Sequence, residues 1–107
     1  SYLQKAVDFA KKQKDKKATA YWLDKQYKAK KNPSNVDLYN LGRAYFDAGS
    51  DDFTFYAKAD EIFAGYVEKY PDQAYGYYWR GRCNWTIDSN MEKSMANPHF
   101  EKFIEVA

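Results

Sequence analysis

The feature that most constrains this 107-residue chain is a pattern of residues that occurs twice in the same order. Each copy has a glycine in one segment, then an alanine followed by two aromatic residues in the next. The first copy is Leu38-x-x-Leu41-Gly42-x-x-Tyr45, Gly49, Ala59-x-x-x-Phe63-x-x-Tyr66 and Pro71, and the second is Tyr77-x-x-Arg80-Gly81 and Ala96-x-x-x-Phe100-x-x-Phe103. Corresponding residues, including Pro33 and Pro71, recur after 37 to 39 residues. Units of this length form stacked helical repeats, so the sequence predicts a scaffold for binding rather than for catalysis.

The composition agrees with a globular chain that has extensive internal interfaces. Hydrophobic residues make up 45% and charged residues 30% of the sequence, as in ordinary soluble domains. Aromatic residues reach 20%, with 11 tyrosines, and tyrosine suits half-buried surfaces because its ring packs while its hydroxyl reaches a polar partner. Neither an apolar run of about 18 residues nor a leader peptide is present. We expect a soluble protein without membrane insertion, and the compartment stays open because the chain begins at Ser1 without methionine.

Positive charge is concentrated in the first third of the chain. Residues 1–32 contain ten lysines and three acidic residues, a net charge of +7, whereas residues 33–107 have a net charge of −5. Such a basic segment attracts an acidic neighbour or phosphate groups. The alternative is a solvated helix face, because the lysines around positions 11–17 are close enough in sequence to point in all directions.

Helix patterns dominate, and no strand or hairpin is predicted. Leu3, Ala6, Val7 and Ala10 have the spacing of an apolar stripe on a first helix. A second helix contains Trp22, Leu23 and Tyr27 and ends before Asn32-Pro33, since proline disfavours helical geometry in the residue before it. Ser34 and Asp37 have the spacing of a capping box at the start of a third helix, which runs to about Asp47.

Three further helices follow. Gly49 is expected to close the third helix in the left-handed conformation, and Asp51-Asp52 to favour the start of the next. The fourth helix is predicted from about Phe55 to Tyr70, and the fifth from Ala74 to about Thr86. Because proline fits the first turn of a helix and not its interior, Asn97 is expected to cap a sixth helix that runs to about Val106. Residues 88–96 are then predicted to form a loop with a short helical turn.

On these residues the chain resembles the tetratricopeptide repeat family, whose helix-turn-helix units stack into a right-handed superhelix. The resemblance covers about residues 35–107, and the period, longer than the family's, is absorbed by about five extra residues after Gly49. Arg80 and Asn84 depart from the pattern, because the first copy has Leu41 and Tyr45 there. Other helical repeats with longer periods lack this order of glycine, alanine, phenylalanine and proline. The small residues of the pattern are expected where helices approach closely and bulky rings fill the space.

The predicted fold is therefore all-α, with antiparallel helix-turn-helix repeats stacked as a short right-handed α-solenoid of about six helices. Residues 1–107 are predicted to form a single helical-repeat domain, and we expect this domain to be a segment of a longer protein. A degenerate leading helix pair occupies 1–32, the first repeat 35–71 and the second repeat 72–107. Phe100, Phe103 and Ile104 on the last helix are expected to be covered by a following helix or, alternatively, by self-association through that end.

The resemblance also implies where a partner binds, because the first helix of each unit lines the concave surface in this family. We call the corresponding positions the groove face: Val36, Tyr39, Asn40, Arg43, Tyr75, Tyr78, Trp79 and Arg82. Tyrosine rings beside guanidinium groups suit a peptide or a helix of a partner protein. The alternative is that the aromatic residues only pack between helices and that the arginines pair with local acids.

Other chemistries have weaker support in the sequence. One histidine and one cysteine cannot form a four-ligand zinc site of the usual kind, and His99 is expected at a partly buried helix position. Cys83 is predicted to fill core space, although Arg80 and Arg82 would lower the pKa of its thiol if they faced it. We expect no enzyme activity, cofactor or metal. Nucleic-acid binding through the basic first third and exposed tyrosines is the alternative function, and an enzyme would need groups outside this segment.

Overall fold

The computed structural model describes residues 1–88 and 97–106, and the side chains of all of these except 97–101. The described residues are mostly helical and contain no strand. The all-α prediction is confirmed. The six helices are α1 (Tyr2–Lys12), α2 (Lys16–Ala29), α3 (Asn35–Ala48), α4 (Phe55–Lys69), α5 (Ala74–Ile87) and α6 (Asn97–Val106). None of the described helices is long and apolar enough to cross a membrane.

Each helix packs mainly on the helices before and after it in the chain. The order of contacts, α1 with α2 through to α5 with α6, is the arrangement expected of stacked helix pairs. The core that runs through the stack contains Ala20, Leu41, Ala59 and Phe63, all of them at most 2% exposed. A repeat-like succession of helices therefore buries one continuous core.

The glycine and alanine of the first copy lie where the sequence placed them. A Cβ atom added to Gly42 on α3 would come within 2.6 Å of the Phe63 ring on α4. This is far inside van der Waals contact, so the two helices can approach each other only because position 42 has no side chain. Ala59 is fully buried. The close approach predicted within the first repeat is confirmed.

The start of α3 has the capping box that the spacing predicted. The Ser34 hydroxyl accepts a hydrogen bond from the Asp37 backbone N–H at 3.1 Å, and the Asp37 carboxylate accepts one from the Ser34 N–H at 2.8 Å. Lys30 adds an ion pair to the same carboxylate at 2.8 Å. Hydrogen bonds from Lys30 and then Ser34 lower the pKa of the Asp37 carboxyl group. These contacts hold the connection between the leading helix pair and the first repeat.

The prediction that Gly49 takes the left-handed conformation is wrong. Its φ and ψ angles are −59° and −26°, which is ordinary right-handed geometry. The physical need for glycine is steric, since an added Cβ atom would lie 2.5 Å from the Tyr56 ring on α4. The loop after it is held by Asp52, whose side chain accepts hydrogen bonds from the backbone N–H and the hydroxyl of Thr54.

The left-handed residue is instead Lys14, between α1 and α2, with a φ angle of 57°. The Lys14 N–H donates to the Lys11 carbonyl and the Asp15 N–H to the Ala10 carbonyl, both at 3.0 Å. These two bonds are the Schellman arrangement that ends many helices. It lets the chain reverse directly, and the Asp15 side chain then caps α2 through the Ala18 N–H at 3.0 Å.

The last helix spans Asn97–Val106 and ends where the sequence predicted. The capping role predicted for the Asn97 side chain lies outside the described residues. The Phe103 ring of α6 lies 5.2 Å from the Tyr78 ring on α5 and keeps part of its surface exposed, so cover by a following helix stays a prediction. Ile104 is 73% exposed and keeps that prediction open. The loop predicted at 88–96 lies outside the described residues from position 89 onward, and Ala96 with it. The side chains of His99 and Phe100 are also outside them.

Candidate binding groove

The eight residues of the groove face lie on α3 and α5, four on each helix. Their exposure differs widely. Val36 and Tyr75 are 60% and 58% exposed, whereas Trp79 is only 7% exposed. Asn40 and Arg82 are also exposed, and Tyr39, Arg43 and Tyr78 are half-buried. A partner could therefore contact most of the face, while Trp79 supports the residues around it rather than offering its own ring.

A hydrogen bond joins the two halves of the groove face. The Trp79 indole N–H on α5 donates to the Tyr39 hydroxyl on α3 at 3.0 Å. The Tyr39 ring also lies edge-on to the Tyr75 ring, with their centroids 6.4 Å apart. Because these contacts link residues about 40 positions apart, α3 and α5 present one shared surface rather than two separate stripes.

The aromatic residues of the face take part in core packing as well. Trp79 stacks on Phe63 with centroids 5.9 Å apart and an angle of 15° between the rings, and its edge meets Phe46. Tyr78 packs on Phe103 of α6. The alternative that these rings pack between helices thus describes Trp79 and Tyr78, while Tyr75 keeps a large exposed area.

Two arginines from successive repeats share the Trp79 ring. The guanidinium carbon of Arg43 lies 4.4 Å, and that of Arg82 4.9 Å, from the ring centroid. Arg82 also lies 5.0 Å from the centroid of Phe46. Cations are attracted to the electron-rich faces of aromatic rings. These contacts hold both guanidinium groups in place without neutralising them.

The alternative that the two arginines pair with local acids has no support in residues 1–88. In that part of the chain, the arginine ion pair is the one between Arg80 and Asp60, 3.0 Å apart. The Nε atom of Arg43 is buried and has no hydrogen-bond partner among the described residues. The groove face therefore holds positive charge that the described residues do not balance.

An open cleft of about 540 Å³ adjoins the groove face between α3 and the first helix pair. Four cationic residues and one carboxylate are among its lining residues: Lys11, Lys14, Lys16, Thr19, Leu23, Asn40, Arg43, Ala44 and Asp47. Asn40 and Arg43 belong to both the cleft and the groove face. Sequence reasoning missed this cleft, because the turn at Lys14 that brings the lysines toward α3 has no glycine or asparagine to announce it.

The remaining candidate groups have structural partners. Burial raises the pKa of the Cys83 thiol to about 12, with a further contribution from Asp60. The expectation of a lowered pKa is therefore wrong: Arg80 and Arg82 do lower the pKa of the thiol, but burial and Asp60 outweigh them. Asp52 bonds to Thr54 and pairs with Lys17 at 3.4 Å. Within residues 1–88 and the described part of α6, no three potential metal ligands cluster.

Comparisons of the chain with protein-family models, with curated proteins and with solved structures find no match. The resemblance to tetratricopeptide repeats consequently depends on the residue pattern given above, and the candidate groove depends on the geometry of α3 and α5.

Proposed function

We propose that this chain is a protein-interaction module of the tetratricopeptide type, which binds a peptide or a helix of a partner protein through its groove face. The observation that carries the proposal is the hydrogen bond between Tyr39 and Trp79, 3.0 Å long. It joins α3 to α5, the first helices of the two proposed repeats. A surface that spans two helices offers more contact area than one helix alone, as a specific peptide site requires.

The exposed residues of the groove face support the same function. Val36 and Tyr75 leave more than half of their surface free, and tyrosine provides a large contact area with few rotatable bonds to immobilise. Arg43 and Arg82 lie seven residues, about two turns, further along the same two helices. Apolar anchors beside fixed polar groups are the usual composition of a peptide-binding surface.

The repeat assignment draws support from spacing that extends into the leading helix pair. Ala20 and Tyr27 on α2 precede Ala59 and Tyr66 on α4 by 39 residues each. Ala20 and Ala59 are both fully buried. A third unit of related pattern fits a stack in which every second helix inserts a small residue between its neighbours.

A peptide selection tests the proposal. Peptides of about 12 residues are selected from a random phage-displayed library on the immobilised chain, synthesised and measured by fluorescence anisotropy. We expect the double variant Val36→Ser, Tyr75→Ala to weaken binding about tenfold or more, since it removes two exposed anchors. Both residues are exposed, so the substitutions should leave the core unchanged.

The matched control removes two equally exposed apolar side chains outside the groove face. Phe9 on α1 and Tyr21 on α2 are 65% and 51% exposed, and Phe9→Ser, Tyr21→Ala should change the affinity less than about twofold. Equal losses in the two double variants, or peptides that bind both as tightly as wild type, would contradict the proposal.

A further inference from the structure

The charges of the groove face suggest the chemistry of its partner. Arg43 and Arg82 are 39 residues apart in sequence, yet both guanidinium groups lie over Trp79. The Trp79 ring is itself fixed by Phe63, which stacks on it, and by the hydrogen bond to Tyr39. Two like charges are thus held against the same ring, which costs free energy unless an anion balances them.

Arg80 provides an internal comparison. Its guanidinium group donates to both carboxylate oxygens of Asp60, at 3.0 and 3.3 Å. Arg43 and Arg82 form no such pair with residues 1–88, and the buried Nε–H of Arg43 has no acceptor. Guanidinium groups donate best to carboxylates in a fork of two parallel bonds. The Arg82 side chain is exposed and the Arg43 side chain is half-buried, so their terminal N–H groups, and not the buried Nε–H of Arg43, are the donors that fit carboxylates from outside the chain.

The cleft beside α3 extends this positive surface. Lys11, Lys14 and Lys16 line it together with Arg43, while Asp47 contributes a single negative charge to the lining. Leu23 and Ala44 add apolar area. Its volume of about 540 Å³ is in the range of sites that hold several side chains. A segment that lies across Arg82 and Arg43 can therefore continue toward the lysines.

The same geometry argues against a nucleic-acid strand as the occupant. Base recognition in single strands depends on open aromatic faces, and the Trp79 ring is 7% exposed and covered by Phe63 and the two arginines. Tyr78 is engaged with Phe103. Of the groove-face rings, Tyr75 alone is mostly exposed, whereas stacking along a strand needs several open rings in succession.

Building on the proposed function, we propose that the partner is an acidic peptide segment whose aspartate or glutamate side chains bind to the Arg43 and Arg82 guanidinium groups and continue into the lysine-lined cleft. The carboxylates replace the missing protein acceptors, and apolar side chains of the same segment contact Val36 and Tyr75. Binding should weaken with salt, because both partners are charged.

The experiment uses the peptides selected above, made with amidated C-termini so that only side chains supply carboxylates. Each is compared with a version in which Asp and Glu are replaced by Asn and Gln, between about 50 and 500 mM salt. We expect enrichment of acidic residues over the unselected library, and a loss of about tenfold or more for the neutral versions at low salt. This substitution in the ligand cannot unfold the protein.

On the protein side, Arg43→Gln, Arg82→Gln should weaken the acidic peptides about tenfold and flatten their salt dependence. Lys25→Gln, Lys69→Gln removes the same charge from positions that do not line the cleft and should change affinity less than about twofold. Circular dichroism checks that both double variants stay folded. If Arg43→Gln, Arg82→Gln does not stay folded, the comparison of acidic with neutral peptides on the wild-type protein decides the question.

The outcomes separate the two proposals. Neutral or basic peptides that depend on Val36 and Tyr75 would overturn the acidic-segment proposal and leave the proposed function intact. Failure to select any peptide that depends on the groove face would overturn both. Tighter, Arg43- and Arg82-dependent binding of a polyuridine oligonucleotide would overturn both as well, because it would identify a nucleic acid as the occupant.

Discussion

The two places where one helix pair stacks on the next, α2 against α3 and α4 against α5, differ in polarity. At the first, Leu41 and Tyr45 of α3 are buried, and the Tyr45 hydroxyl donates a hydrogen bond to Asp24 of α2. Lys28 pairs with the same carboxylate at 3.1 Å. This interface is mainly apolar, and the Tyr45–Asp24 bond is a part-buried polar contact within it.

At the second interface, Arg80 and Asn84 of α5 occupy the places of Leu41 and Tyr45. Both donate to Asp60 of α4, and the Asn84 amide also donates to the Arg80 carbonyl at 2.8 Å. Arg80 and Asn84, which depart from the repeat pattern, thus form with Asp60 a connected set of hydrogen bonds that we call the polar group. The comparison teaches that a stacked repeat tolerates polar residues at such an interface when every donor has an acceptor.

The largest effect is expected from removal of the acceptor that the second interface shares. Asp60→Ala leaves the Arg80 charge and the buried Asn84 amide without their partner, and should cost about 2 to 3 kcal/mol of unfolding free energy. Urea denaturation measures the loss at constant slope. The control Asp72→Ala removes an exposed carboxylate and should have little effect. Equal stability of Asp60→Ala and wild type would contradict the importance of the polar group.

A smaller loss is expected from closing the space between α4 and α5. A Cβ atom at Gly76 would lie 2.6 Å from both Tyr66 and Val67, so Gly76→Ala should cost about 1 to 2 kcal/mol after its gain in helix propensity. Gly65→Ala is the matched control in α4, because a Cβ atom there meets nothing within 4 Å. It should stabilise the protein by about 0.5 to 1 kcal/mol. Thermal unfolding of both variants would therefore show shifts of opposite sign, and two shifts of the same sign would contradict this account.

At the first interface, Tyr45→Phe should cost about 1 kcal/mol, because Asp24 keeps Lys28 as a partner. Burial and then the Asp24 hydrogen bond raise the pKa of the Tyr45 hydroxyl above its ordinary value. Its stabilising contribution is present below the unfolded pKa of about 10 and is lost as the pH rises above it.

Urea denaturation at increasing pH measures this difference. The free-energy gap between wild type and Tyr45→Phe should shrink above about pH 10, and the exposed control Tyr21→Phe should show little gap at lower pH. A gap that grows with pH would show that the Tyr45 hydroxyl is not the group involved.

The sequence was sufficient for features that depend on nearby residues or on the repeated pattern, and insufficient for other contacts between distant residues. The capping box of Ser34 and Asp37 follows from a short spacing, and the steric need for Gly42 beside Phe63 follows from the repeat. The left-handed Lys14 does not, because lysine has no preference for that geometry. Nothing near Arg80 in sequence indicates that Asp60, 20 residues earlier, completes its pair.

The same distinction applies to the candidate site. The repeat spacing predicted that α3 and α5 contribute to one face, and the Tyr39–Trp79 hydrogen bond shows that these two residues are in contact. Spacing could not show that Trp79 is buried or that both arginines lie over its ring. Those features depend on side-chain packing across three helices, which a periodic pattern does not specify.

The smallest effect is expected when the second interface is made to resemble the first. Asp60→Leu, Arg80→Leu replaces the ion pair with apolar side chains, and exchanges of this kind are often neutral or stabilising because two charges no longer lose their hydration on folding. Asn84 keeps its bond to the backbone carbonyl at position 80. We expect a stability within about 1 kcal/mol of wild type, measured by urea denaturation beside Asp60→Ala. If this double variant is as unstable as Asp60→Ala, the fold requires the polar group itself. Apolar and polar side chains would then not be interchangeable at the two interfaces.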